Sequence, residues 1–261
     1  MREFIATELR DDDKEELLSL HDPDPEGPPE SKMERIYLNN TYGHGLFIKS
    51  SRMNHSCLPC VEMSMDGGKE TEVRSVKEIK EGEEITVSYL KTSLLLNKKE
   101  RSERLDYWGF VCSCELCLLT EDASRKNDAE RKRVRETLSL LQNFFQRLSE
   151  DSSWDPSTVQ MVLSRLYSLG SHCLEVLDSS LQGEAEPVVV QLYLFLAALV
   201  ELASTPTYSI DLPDDPSTGT LMTRARTRAE GLGSVFLQNC NTREKELDRI
   251  RKDFGESPQQ D

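Results

Sequence analysis

Apolar residues change their spacing twice along this chain, and the two changes divide it into three parts. In residues 1–45 the apolar positions are sparse. Leu9, Leu17, Leu18 and Leu20 sit among acids and helix formers, which predicts a short helix within the first twenty residues. Four prolines and a glycine between His21 and Pro29 predict a loop. A second short helix is expected from about Ser31 to Asn39, with Ser31 as its cap and Glu34 three residues on. From Gly45 the period shortens. Val61-Glu62-Met63-Ser64-Met65 alternates apolar and polar residues, a strand signal. Asp66-Gly67-Gly68 predicts a tight turn and Glu70 to Val76 the returning strand. Glu81-Gly82 predicts a further turn before a third strand, Ile85 to Leu90. The expectation is a small β-region built of hairpins, followed by a charged helix over Lys98 to Tyr107.

Beyond Cys117 the period lengthens to that of a helix. Val134, Leu138, Leu141, Phe145 and Leu148 recur at three- and four-residue spacing, an amphipathic stripe. Asp155-Pro156 opens another helix, carrying Val159, Val162, Leu163, Leu166 and Leu169. Pro187 opens the most apolar one. Its run from Val188 to Leu202 is about 15 residues, too short for a membrane span and suited to a buried helix. Asp211 to Gly219 reads as a loop, Leu221 to Phe254 as a last helix, and Gly255 to Asp261 as a disordered tail. The prediction is roughly four antiparallel helices, with no clear repeat.

The chemistry lies in the middle part. Cys112-Ser113-Cys114-Glu115-Leu116-Cys117 supplies three closely spaced thiols, and a tetrahedral zinc site takes four ligands. Cys57, in Asn54-His55-Ser56-Cys57-Leu58-Pro59, is the obvious fourth. The spacing alone also allows a zinc-ribbon pairing, with Cys57 and Cys60 facing Cys114 and Cys117. Cys173 and Cys240 fall in helical patterns and read as ordinary buried thiols. Seven cysteines, four of them assignable to a metal, point to a reducing compartment, the nucleus or the cytoplasm. The N-terminus carries no long apolar run and reads as lacking a signal peptide. A net charge of -15 disfavours direct binding to nucleic-acid phosphates and fits a basic protein partner.

Three segments in order, Asn54 to Pro59, Gly82-Glu83-Glu84-Ile85-Thr86-Val87-Ser88-Tyr89 and Tyr107-Trp108-Gly109-Phe110-Val111-Cys112-Ser113-Cys114-Glu115-Leu116-Cys117, resemble the C-terminal half of a SET-domain protein methyltransferase, in the branch of the SET-and-MYND proteins and their fungal relatives. Ser51-Arg52-Met53 fits that branch as well, and the likeness covers roughly residues 30 to 120. It implies an α+β fold: a partial SET β-region with a zinc-bound post-SET loop, then an α-helical C-terminal domain. The implied divisions are a helical SET-insertion-like segment over 1–45, the C-terminal SET half and post-SET motif over 46–120, and a helical bundle over 121–261. The implied chemistry is methyl transfer from S-adenosylmethionine to a protein lysine, histone or non-histone. Within it Asn54 and His55 would contact the cofactor, largely through backbone groups, and Tyr89 would be the catalytic tyrosine. Phe110 would stack near the cofactor, Trp108 would close the lysine channel, and Cys57, Cys112, Cys114 and Cys117 would hold a structural zinc, leaving Cys60 spare.

Two departures from the pattern stand out. Cys60 occupies a position where the family motif usually carries Asn. The upstream Gly-x-Gly loop that cradles the cofactor's methionine end has no counterpart between Met1 and Tyr42, and Gly43-His44-Gly45 lies only nine residues before Asn54. Residues 1–45 therefore read as the insertion of a SET domain whose first half is missing. A catalytically inactive, zinc-binding interaction scaffold is the competing reading, and a zinc-ribbon nucleic-acid binder a third, disfavoured by charge.

Overall fold

A computed structural model describes residues 11–42, 45–66, 70–90, 95–150, 154–180, 186–212, 217–232 and 234–254. Among these residues there are eight α-helices, six short strands and three short 3-10 turns. The chain divides into two compact units, Met1–Ser93 with Lys98–Leu118, and Leu94–Asn97 with Leu119–Asp261.

The first unit begins with helix α1 (Asp11–Leu18) and helix α2 (Lys32–Asn40). Leu17, Leu20 and Ile36 form a small buried cluster, covered by Met33, Tyr37, Leu46 and Ile48. The proline-rich loop between the helices is stitched down by Arg35. Its guanidinium donates to both carboxylate oxygens of Asp22 (3.2 and 3.0 Å) and to the carbonyls of Pro28 and Asp24. Ser31 precedes α2 but does not cap it. Its hydroxyl donates back to the Pro28 carbonyl and accepts from Arg35. Strands β1 (Thr41–Tyr42) and β2 (Gly45–Leu46) follow, and a 3-10 turn over Ser50–Arg52 leads into β3 (Asn54–His55).

The alternating segment forms the hairpin expected of it. β4 (Val61–Asp66) pairs antiparallel with β5 (Glu70–Ser75), with Met63 opposite Val73. The predicted Gly67-Gly68 turn lies outside the described residues. The third strand departs from expectation. β6 is only Thr86–Val87, and it pairs in parallel with β3, Asn54 opposite Thr86 and His55 opposite Val87. Local groups cut it short at both ends. At the start, Gly82 takes φ +82° and the Glu83 carboxylate accepts the Lys80 N–H. At the end, the Ser88 hydroxyl folds onto Leu90, donating to its carbonyl and accepting its N–H. Under this crossing sits a second small cluster, Cys60, Val61 and Val87, packed by Met53, Met63, Ile79 and Tyr89. Helix α3 (Lys98–Leu105) ends in a 3-10 turn over Asp106–Trp108, so the helix stops before Tyr107.

The second unit is helical: α4 (Glu121–Glu150), α5 (Pro156–Ser180), α6 (Glu186–Ala203), α7 (Thr218–Leu232) and α8 (Ser234–Phe254). Where one last helix was expected, two are described, Thr218–Leu232 and Ser234–Phe254, and they pack on each other. Each helix packs on the next, and α6 also packs on α8. The apolar α6 is buried around its circumference, with Leu192, Leu196, Leu199 and Leu202 fully enclosed. In α4 the stripe turns Phe144 inward, while Phe145 is half-buried and stacks on Phe195 at 5.8 Å. The Arg243 guanidinium lies over both rings, 5.7 and 5.3 Å from their centroids. No described helix is long and apolar enough to cross a membrane. The expected tail, most of the 211–219 loop's centre and residues 1–10 fall outside the described residues.

Candidate functional site

All the predicted site residues lie in the first unit, and the structure brings them together. The anchor is the cysteine cluster. Cys57, Cys112, Cys114 and Cys117 place their sulfurs within 4.8 Å of one another. Cys57 Sγ is 3.9 Å from Cys112 Sγ and 3.6 Å from Cys117 Sγ. A tetrahedral ion with four bonds of about 2.3 Å to sulfur needs sulfur–sulfur edges of about 3.8 Å. The cluster therefore has the dimensions of a four-thiolate metal site. The loop geometry is local: Cys117 N–H donates to the Cys114 carbonyl at 2.9 Å, so the chain wraps back on itself. Gly109, at φ +71°, lets the backbone turn out of the preceding 3-10 helix toward the cysteines. Crowding perturbs the thiols. Hydrogen bonds from Cys117 and Cys57 hold Cys114 well below the usual thiol range. Cys114 in turn raises Cys57 and pushes Cys117 up to about 11. A cation bound there would resolve that competition, because it would take all four as thiolates.

Cys60 takes no part. Its sulfur accepts the Thr86 N–H at 3.1 Å, and its own N–H donates to the Thr86 carbonyl at 3.2 Å, beneath β6. The zinc-ribbon pairing is thereby ruled out as a geometry, since the fourth sulfur near Cys57 is that of Cys112. The motif's Asn is replaced by a thiol that serves as a hydrogen-bond acceptor in the β-crossing.

Next to the cysteines is an aromatic group. His55 and Tyr89 have centroids 5.3 Å apart, and Tyr89 and Trp108 5.4 Å. Phe110 lies 5.9 Å from His55 and 6.2 Å from Tyr89, edge-on to the latter. Tyr107 touches Trp108 but is 77% exposed, at the rim of the group. The parallel β3–β6 pair sets His55 beside the start of the Ser88–Tyr89 turn, and Ser56 N–H donates to the Val87 carbonyl at 3.0 Å. Tyr89 Oη donates to the Met53 carbonyl at 2.9 Å. Burial, with Glu84 nearby, raises the phenol above its ordinary value, so it stays protonated. Burial lowers His55 to about 4, with Arg101 adding to the effect against the opposing Cys114. The imidazole is therefore neutral near pH 7.

Sequence reasoning passed over three contributors. Glu84 accepts a 2.6 Å hydrogen bond from Asn54 Nδ2. The Met53 carbonyl receives the Tyr89 hydroxyl. Arg101, on the charged helix α3, is 1% exposed. Arg52 holds the 3-10 turn to the end of α1, donating to Ser19 Oγ at 2.6 Å. Asn54, Tyr89, Trp108 and Phe110 border a cleft of about 1020 Å³, open to solvent. A cleft of this size can take a nucleoside-sized ligand together with an extended side chain.

Residues 5–90 match the SET domain family. The match begins before the residue 30 expected from the motifs and ends at 90, ahead of the cysteine run. The chain is 35% identical over 88 residues to the protein named histone-lysine N-methyltransferase SET5 of Meyerozyma guilliermondii, covering 33% of this chain and 18% of that one. It is 40% identical over 91 residues to N-lysine methyltransferase SMYD2 of Homo sapiens, covering 34% and 20%. With histone-lysine N-methyltransferase set5 of Schizosaccharomyces pombe the identity is 30% over 141 residues, covering 51% and 43%. The matched segments span less than half the length of each of these relatives.

Proposed function

We propose that this chain, whose residues 5–90 match the SET domain family, is a protein-lysine N-methyltransferase that takes its methyl group from S-adenosylmethionine and acts on a histone or another protein. The observation that carries the reading is the convergence of Asn54, His55, Tyr89, Trp108 and Phe110 on one cleft beside a four-sulfur cluster. The cluster suits a structural zinc held by Cys57, Cys112, Cys114 and Cys117, with the last three forming a post-SET loop. That ion would tie Phe110 and Trp108 to the Asn54-His55 segment.

S-adenosylmethionine, when bound, supplies an electrophilic methyl on a sulfonium sulfur. The chain's own groups do the rest. Tyr89 is protonated and spends its proton on the Met53 carbonyl, so its oxygen remains an acceptor on the cleft wall. An amine N–H of an incoming lysine can bind there, which aligns the nitrogen lone pair for in-line attack. The aromatic faces of Trp108 and Phe110 lower the local polarity and favour the neutral, nucleophilic amine. Asn54, its side-chain amide fixed by Glu84, presents its backbone from β3 at the cleft.

The test is Tyr89→Phe, assayed for transfer to a lysine-rich protein and for cofactor affinity. Transfer is expected to fall about 100-fold or more, with affinity within about twofold of wild type. Transfer at the wild-type rate would sink the assignment. An absence of cofactor binding in the folded wild type would favour the interaction-scaffold reading instead.

A further inference from the structure

The imidazole of His55 makes two directional contacts that the family reading, which uses its backbone, leaves unexplained. Nδ1 accepts the Tyr89 backbone N–H at 3.0 Å. Nε2 lies 3.3 Å from Cys57 Sγ. The first contact fixes the second. A backbone N–H can only donate, so Nδ1 carries no proton, and the neutral ring holds its hydrogen on Nε2. That hydrogen points to the sulfur of a residue in the four-cysteine cluster. Tyr89 and Phe110 pack against the ring at tilts of 49° and 50°.

We infer that His55 is a positioning residue that couples the metal site to Tyr89: its Nε2–H steadies the Cys57 thiolate, and its Nδ1 anchors the backbone that carries the phenol. This rests on the four-thiolate ion and on the role of Tyr89 proposed above. An N–H bond to a metal-bound thiolate tempers the charge on sulfur and fixes the ligand's direction, and outer partners of this kind change metal retention by about 10- to 100-fold. The consequence is a physical link of one side chain between ion occupancy and the placement of the reacting hydroxyl. Loss of the ion would free Cys57, release the ring and loosen Tyr89.

Two substitutions separate the two ends of the ring. In His55→Asn the side-chain oxygen can replace Nδ1 as acceptor, but nothing reaches the sulfur. In His55→Gln the amide N–H can replace Nε2–H, but the acceptor near Cβ is gone. Both are made in the zinc-loaded full chain, and two properties are read: the rate of zinc release to a chelator and hydrogen exchange at the Tyr89 amide. Zinc release is expected to rise about tenfold or more in His55→Asn and to change little in His55→Gln. Exchange at Tyr89 should rise in His55→Gln and hold in His55→Asn. Nitrogen chemical shifts of the wild-type ring should show the Nε2–H form, independently of either variant. Loss of both properties together, loss of neither, or the opposite tautomer would overturn the proposal. None of these readouts involves methyl transfer, so they stand apart from any failure of the proposed activity.

Discussion

The two units of this chain reach order by different means. The helical unit encloses a broad apolar core, in which Leu163, Leu192, Leu196, Leu199 and Leu202 are fully buried. Among its described residues the first unit has two small clusters of three buried residues each and strands of two to six residues. Two-residue strands cannot hold a site by themselves. What joins the first unit's segments is largely polar: the Arg35–Asp22 pair, the Cys60–Thr86 contacts and the cluster of four sulfurs. A core of leucines suits a scaffold. A cleft lined by polar groups is better pinned at a few points, and here the tightest of these is the four-sulfur cluster.

That contrast can be broken most sharply through the metal. Cys112→Ser, or chelation of the wild type, should abolish stoichiometric zinc and unfold the first unit, since the binding free energy of a structural zinc is of order 10 kcal/mol. The helical far-ultraviolet signal of the second unit should largely survive. A single transition that removes all helix at once would show that the units do not differ in this way.

The converse perturbation is Leu199→Ala, which empties a fully buried site in α6. The expected cost is about 2–5 kcal/mol, read as a lower denaturation midpoint of the helical transition, with zinc content unchanged. Zinc loss in this variant would erase the distinction between ion-held and core-held units.

A smaller effect sharpens the picture on the hairpin. Burial raises the Glu62 carboxyl in β4 to about 7. A folded-state value above the ordinary 4.5 means that the folded form binds the proton more tightly. The stability this provides is present at acid pH and is lost as pH rises through about 7. Glu62→Gln should therefore flatten the fall in stability between pH 5 and pH 8, by roughly 1 kcal/mol or less once solvent screening is allowed for. An unchanged pH profile would contradict the burial argument.

How far the sequence disclosed this architecture follows from the range of the forces involved. The three-cysteine loop was legible because thiol spacing is local chemistry, whereas spacing left Cys57 and Cys60 both open and the family resemblance favoured the Cys57 set that the structure brings together. The hairpin and the buried α6 were legible because their periods of two and 3.6 span whole elements. The parallel pairing of Asn54–His55 with Thr86–Val87 was not, because two residues leave no period and the hairpin reading of Ile85 to Leu90 competed with it. Arg101 was hidden in a charged helix, and the division of the last helical stretch into two packed helices in a continuous helical pattern. The choice between Phe144 and Phe145 was a matter of one residue's rotation, below the resolution of a stripe. The Cys60 sulfur was set aside as spare, yet it is a working acceptor beneath β6.

The measurement that bears most directly on the whole account is calorimetric titration of S-adenosylmethionine into the purified chain, zinc-loaded and zinc-stripped in parallel. The account predicts saturable one-to-one binding to the loaded protein and none to the stripped one, because Trp108 and Phe110, which border the cleft, directly precede the cysteine loop. Equal binding in both states, or a folded, fully zinc-loaded protein that binds no cofactor, would contradict it.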